Sequence, residues 1–233
     1  MWNGKLKALT FSFDDGVTQD KRLIDILNKY NLKATFNINS SLLGLKGRLE
    51  RNGVLISHDK VYPSEVAKIY QGHEVAAHTL THPLLPNEDE QTIIWQVEED
   101  RKKLSEMVGY EVKGMAYPCG GENNDDRVAE IIKNNTGVKF ARTITSTGNF
   151  DLQKNLHRFN PTVYYIDVEQ TFSLAEKFIS LNPDKPQLFY IWGHAYEMDA
   201  EYISWEKFEE LCKMLSGRDD VFYGTNSEVL LDV

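Results

Sequence analysis

Leu9-Thr10-Phe11-Ser12-Phe13-Asp14-Asp15-Gly16 is an apolar run of strand type that stops abruptly in two adjacent carboxylates and a glycine. Strand interiors avoid Asp, so the pair marks the point where the strand ends and the backbone turns. Two carboxylates in one small space repel each other and raise a pKa unless a cation sits between them. A metal ion is the simplest such cation, and the rest of the chain must then supply its other ligands.

Working outward from this stretch, strand patterns alternate with helical ones. Strands are predicted at 8–13, 33–38, 73–77, 112–117, 138–141, 161–165, 187–192 and 221–223. Helical periodicity is predicted over 21–30, 63–70, 87–108, 125–134, 169–181 and 205–215, with Thr18 or Asp20 capping the first and an Asn87/Glu90 capping box opening the third. Residues 39–62 and 143–159 carry no sustained period and are long for a compact domain, which points to functional loops. Alternation of this kind means right-handed βα units and a parallel sheet. Seven or eight units in 233 residues fit a barrel better than an open sheet, and one domain spanning 1–233 is expected because no linker interrupts the pattern.

The polar clusters Asp14-Asp15, His78/His82, Cys119-Gly120, Arg142 and His194 each fall just after a predicted strand. In a βα barrel those positions share one face, so clusters scattered along the chain converge in space.

Composition narrows the partners. A net charge of −9 argues against nucleic acid or an anionic membrane surface. No apolar run is long enough to span a bilayer, and Met1 to Lys7 lacks a signal-peptide core, so a cytoplasmic location is expected if Met1 is the natural start. Two cysteines, Cys119 and Cys212, do not make a disulfide framework.

His78 and His82 are four residues apart, which puts both imidazoles on one side if the segment takes a helical turn. Imidazole is the commonest metal ligand at neutral pH. One Asp and two His leave coordination positions open, as a catalytic zinc site does. Such an ion lowers the pKa of a bound water and polarises a carbonyl. A second carboxylate can then act as base, backbone N–H groups at Cys119-Gly120 can stabilise an oxyanion, and His194 is the free group to protonate a leaving amine. Two His and one carboxylate also describe non-haem Fe(II) oxygenases, but a spare Asp and a parallel barrel suit hydrolysis better.

These residues resemble the motifs of the polysaccharide deacetylases (the NodB-homology proteins, carbohydrate esterase family 4). Thr10-Phe11-Ser12-Phe13-Asp14-Asp15-Gly16 is similar to their Asp-Asp-Gly motif, and His78-Thr79-Leu80-Thr81-His82 to their second motif. Tyr117-Pro118-Cys119-Gly120 and Trp192-Gly193-His194 are similar to the third and fifth. The resemblance implies a distorted (β/α)7-type barrel that removes N-acetyl, or O-acetyl, groups from a carbohydrate with a divalent metal. The metal is usually zinc, with cobalt, nickel, manganese or iron as alternatives.

It further implies Asp14 as base, Asp15, His78 and His82 as ligands, the Cys119 N–H at the oxyanion with Tyr117 beside it, and His194 as acid. Trp192, Trp205 and the Tyr196-Glu197 pair are candidates for lining a sugar site. Ala116 stands where the family has an arginine paired with the base, and Arg142 is expected to replace it. The fourth-motif Asp that orients the acid histidine has only Asp151 and Asp167 as candidates. The alternatives are a hydrolase of a non-sugar linear amide and a non-catalytic carbohydrate-binding relative.

Overall fold

The computed structural model describes residues 1–231. Its first half runs β1 (Lys7–Asp14), α1 (Asp20–Lys29), β2 (Ala34–Ile38), β3 (Arg48–Arg51), β4 (Val54–Ser57), α2 (Val66–Ile69), β5 (Glu74–Ala77), α3 (Glu90–Val108) and β6 (Gly114–Ala116). The second runs α4 (Asp126–Asn135), β7 (Phe140–Arg142), β8 (Val163–Tyr164), α5 (Val168–Ser180), β9 (Gln187–Gly193), α6 (Tyr196–Asp199), α7 (Trp205–Leu215), β10 (Val221–Tyr223) and α8 (Asn226–Leu230).

Eight strands form one parallel sheet in the order β7-β6-β5-β2-β1-β9-β8, with β10 beside the start of β1. A single stretch of chain closes it: Phe159 bridges Arg142 at the end of β7, and Val163 and Tyr164 pair with β9 a few residues later. The result is a parallel βα barrel, as the strand–helix alternation predicts, of the distorted (β/α)7 type that the resemblance implies.

Alternation along the strands sorts side chains between two environments. Leu9, Phe11 and Phe13 of β1 and Phe189 and Ile191 of β9 join the large core shared with the helices, where Phe208 of α7 packs edge-on against Phe11 and Phe13. The alternate positions face the barrel axis. At its base Ala8, Phe140, Leu188, Val229 and Leu230 form a small apolar plug with Trp2. Above it the interior turns polar: Asn226 Nδ2 donates to Ser12 Oγ at 3.2 Å and to Tyr190 Oη at 2.5 Å. The same parity carries Asp14, Arg142 and Trp192 to the mouth.

Four local expectations change. The 39–62 loop contains the antiparallel hairpin β3–β4, whose tip is tied to the chain after α6 by Asn52 Nδ2 donating to Ala200 O at 3.1 Å. His78 and His82 lie on an irregular loop, not a helical turn, with Thr79 at φ 67° and His82 at φ 63°. The cap of α3 is Asp89, which accepts from Thr92 N at 2.8 Å, instead of Asn87. The 63–70 helix is a 3₁₀ turn over Pro63–Glu65 followed by the single turn of α2.

Candidate active site

Adjacent strand residues point to opposite faces, so Asp14 and Asp15 would ordinarily diverge. Asp15 escapes this by leaving the strand at φ 84°, a left-handed conformation, and both carboxylates then reach the same cavity. Gly16 follows at φ 61°, packed so closely on Ile38 that a Cβ would lie 2.7 Å from its methyl. The cavity is about 580 Å³ at the mouth of the barrel, and Leu49 and Arg51 of the hairpin form part of its wall.

Asp15, His78 and His82 each offer a ligand atom, and these atoms lie within 4.8 Å of one another. Nε2 of His82 is 3.7 Å and Nε2 of His78 is 4.0 Å from Asp15 Oδ1. The remaining atoms of the three residues are already engaged. His78 Nδ1 is 2.9 Å from Ala116 O, which holds the ring with Nε2 towards the cluster. Its backbone N–H donates to Asp100 Oδ2 of α3 at 2.9 Å, and burial pushes that carboxyl up to about 7.

His82 is lowered to about 4 by burial and then by His78 beside it, which leaves the neutral imidazole a metal needs. Asp15 Oδ2 faces His58 Nε2 at 3.2 Å, and Lys60 Nζ donates to the Asp15 carbonyl at 2.8 Å, clamping the left-handed residue. Burial alone would raise the Asp15 carboxyl, but His58 and Lys60 outweigh it and hold it well below the usual range. The donor set fits a divalent ion with open positions. His58 and Lys60 are contributions of the 39–62 loop that sequence reasoning missed, since neither lies in a motif.

Asp14 stands outside the ligand cluster. Its Oδ2 accepts from Arg142 Nη2, and its Oδ1 accepts from Asn37 Nδ2 at 2.8 Å. Burial would raise its carboxyl, but Arg142, with His78 and His194 nearby, holds it below the ordinary value. The guanidinium is fully buried and lies 4.4 Å from the centre of the Trp192 ring. Arg142 thus stands in contact with Asp14 from β7, and the place at Ala116 holds no cation. His194 Nε2 is 4.0 Å from Asp14 Oδ2 and lines the same cavity.

Cys119 adopts φ 70° at the cavity wall, its Sγ 3.6 Å from His82 Nδ1. Burial pushes the thiol up, so nothing here activates it as a nucleophile.

Several candidates lie elsewhere. Tyr117 is buried with its hydroxyl donating to His157 O at 2.7 Å, outside the cavity lining. Trp205 packs in the helical core beneath Arg22. Asp167 caps α5, accepting from Gln170 N at 3.1 Å, and Asp151 pairs with Lys185 at 2.7 Å on the surface. Neither reaches His194. The carboxylate beside that ring is Glu197, with Oε1 3.0 Å from His194 Nδ1.

Residues 3–140, more than half of the chain, match the family model described as polysaccharide deacetylase. The chain belongs to the polysaccharide deacetylase family. Among curated members it is 28% identical over 129 residues to a peptidoglycan-N-acetylglucosamine deacetylase of Listeria monocytogenes, covering 54% of this chain and 24% of that one. The chain therefore spans about a quarter of the length of the curated deacetylases it matches.

Among solved structures, a family 4 acetyl xylan esterase from Clostridium thermocellum with a cobalt ion superposes at TM-score 0.59 with 17% identity, covering 97% of this chain and 91% of that one. A family pseudoenzyme from Bacillus anthracis superposes at TM-score 0.54 with 19% identity, covering 99% and 66%. At such identities the likeness is one of deacetylase fold.

Proposed function

We propose that the chain is a metal-dependent hydrolase that removes N-acetyl groups from an acetylated glycan. One observation carries the reading. A buried carboxylate, Asp14, is kept ionised by Arg142 and left free of the ligand cluster, with a histidine 4.0 Å away in the same cavity. A divalent ion on Asp15, His78 and His82 would lower the pKa of a bound water and polarise the acetyl carbonyl.

The chain's own groups do the rest. Asp14 Oδ2 takes a proton from the attacking water. The backbone N–H of Cys119, turned by its left-handed φ, donates to the developing oxyanion. His194 Nε2 gives a proton to the departing nitrogen. Tyr164, Trp192, Tyr196 and Tyr202 line the same cavity. Trp192 is covered by Tyr164 and Arg142, and Tyr196 stacks on His194, so the half-buried rings of Tyr164 and Tyr202 are the ones that suit the apolar faces of a sugar.

The curated relative in Listeria monocytogenes is a peptidoglycan-N-acetylglucosamine deacetylase, which supports an N-acetylglucosamine-containing polymer as the substrate. A non-catalytic reading is favoured by Ala116 and by the pseudoenzyme among the fold neighbours. Arg142 answers the first point, because it supplies the guanidinium from the next strand.

Acetate release from N-acetylglucosamine oligomers by zinc-loaded protein tests the proposal. Turnover that a chelator abolishes and added zinc restores is the expected result. Oligomer binding without acetate release would leave the non-catalytic reading standing instead.

A further inference from the structure

Glu197 is a buried carboxylate that no sequence motif announces. It lies in α6, three residues after His194, and is 3% exposed. Its Oε2 accepts from the His194 backbone N–H at 2.9 Å, and its Oε1 lies 3.0 Å from Nδ1 of the same residue. The Tyr164 hydroxyl donates to Oε1 and stands 3.3 Å from Nδ1. The Tyr165 hydroxyl donates to the His194 carbonyl from the other side.

These contacts continue into a closed ring of side chains. The Tyr164 ring stacks on Trp192 with centroids 4.0 Å apart and planes at 19°. Arg142 lies over Trp192 and donates to Asp14, and Asp14 returns to His194.

We infer that Glu197, held by Tyr164, is the positioning residue that orients His194 and keeps a proton on its Nε2. The inference rests on the deacetylase reading for the identity of the reaction. A carboxylate that only ended the turn would need the backbone bond alone. The second oxygen fixes the plane of the imidazole, and with it the direction of Nε2.

Net charge on a buried pair is costly, so glutamate and histidine together stay neutral. One proton then occupies the line between Oε1 and Nδ1, and the other must sit on Nε2. Burial drives both groups the same way, Glu197 upward and His194 down to about 4.

The proton balance closes. As the amide C–N bond breaks, its electron pair takes the proton from Nε2 and leaves the pair with one proton. Asp14, which has taken the proton of the attacking water, returns it to Nε2 across the 4.0 Å that separate them. Hydroxide from the water stays on the acetyl carbon, and both side chains regain their starting states.

The test compares two leaving groups on zinc-loaded Glu197→Gln protein. An N-acetylglucosamine oligomer expels an amine and needs the acid, whereas p-nitrophenyl acetate expels a phenolate and does not. On the oligomer kcat falls about 10²-fold at nearly constant KM, while aryl-ester turnover stays within about threefold. Zinc content is unchanged. Tyr164→Phe keeps the ring but loses one hydrogen bond to the carboxylate, and lowers kcat on the oligomer about fivefold at constant KM.

The alkaline limb of the oligomer profile moves to lower pH in Glu197→Gln. The groups facing His194 there are Asp14, Asp15, His78, Arg142, Tyr164, Tyr165 and Tyr196, and none of these is altered. Equal losses on both substrates, or an unchanged oligomer rate, would overturn the inference. If wild-type protein releases no acetate from the oligomer, the deacetylase reading fails. Glu197 is then judged by the ¹⁵N shifts of His194, which must differ between wild type and Glu197→Gln and would refute the role if identical.

Discussion

On the side of the cavity proposed to hold the metal, Asp15, Thr79, His82 and Cys119 all hold left-handed backbone, at φ 84°, 67°, 63° and 70°. On the side proposed for acid–base chemistry, Asp14, Arg142 and Trp192 sit in regular strands and find one another through side chains. The first arrangement costs about 1–2 kcal/mol at each non-glycine residue and is secured by neighbours such as Lys60 on the Asp15 carbonyl. The second is unstrained in its backbone but depends on strands whose key residues are 128 apart in sequence. A ligand set can therefore be encoded in short motifs, whereas the tuning of base and acid is encoded in which strands become neighbours.

The largest effects should separate the two aspartates. Asp14→Asn removes the base and lowers turnover about 10³-fold with zinc stoichiometry unchanged. Asp15→Asn instead releases the metal. Metal analysis of both proteins decides the matter, and zinc loss from Asp14→Asn would mean that the two carboxylates have exchanged roles.

A smaller effect probes the replacement of the arginine. Arg142→Lys keeps a charge but loses the planar contact with Trp192 and the single rigid group that donates to both Asp14 and the Thr143 carbonyl. Turnover drops about tenfold, the worth of one charge-assisted hydrogen bond, with no loss of zinc. An unchanged rate and pH profile would remove Arg142 from the acid–base side.

The smallest effect is on stability. His73 near the barrel's base is lowered to about 4, by burial first and then by Lys33. Its folded pKa lies below the ordinary histidine value of 6.5, so the unfolded chain binds the proton first. The contribution is present above pH 6.5 and lost as pH falls towards 4. Denaturant midpoints measured across that window should decline, and His73→Gln should flatten the decline while leaving turnover intact. A midpoint indifferent to pH would show that this ring titrates normally.

Much of this was legible without coordinates. The strand–helix alternation predicted the parallel barrel, and its strand ends predicted that Asp14, Asp15, His78, His82, Cys119, Arg142 and His194 would gather at one mouth, as they do. Periodicity and strand-end placement are local properties, and a βα barrel translates them directly into a shared face.

Other features had no local signal. Tyr117 is suggested by the third-motif resemblance and Trp205 by its ring, but the hydroxyl donates to His157 O and the indole to Asp199 Oδ1. His58 and Lys60 lie in a segment without periodicity, because the hairpin there is defined by pairing and by its tie to Ala200.

The paired carboxylates therefore stated by sequence alone that a cation belongs at Asp14-Asp15, since like charges in one turn demand it. Which carboxylate stays free is implied by the family resemblance alone, and the physical reason is a matter of tertiary structure. The left-handed turn at Asp15 and the arrival of Arg142 at Asp14 divide the pair. Glu197 shows the same division between chain and fold. By sequence it is half of a Tyr196-Glu197 pair that could line a sugar site, and only the closure of β8 against β9 brings Tyr164 onto it and turns it towards the ring.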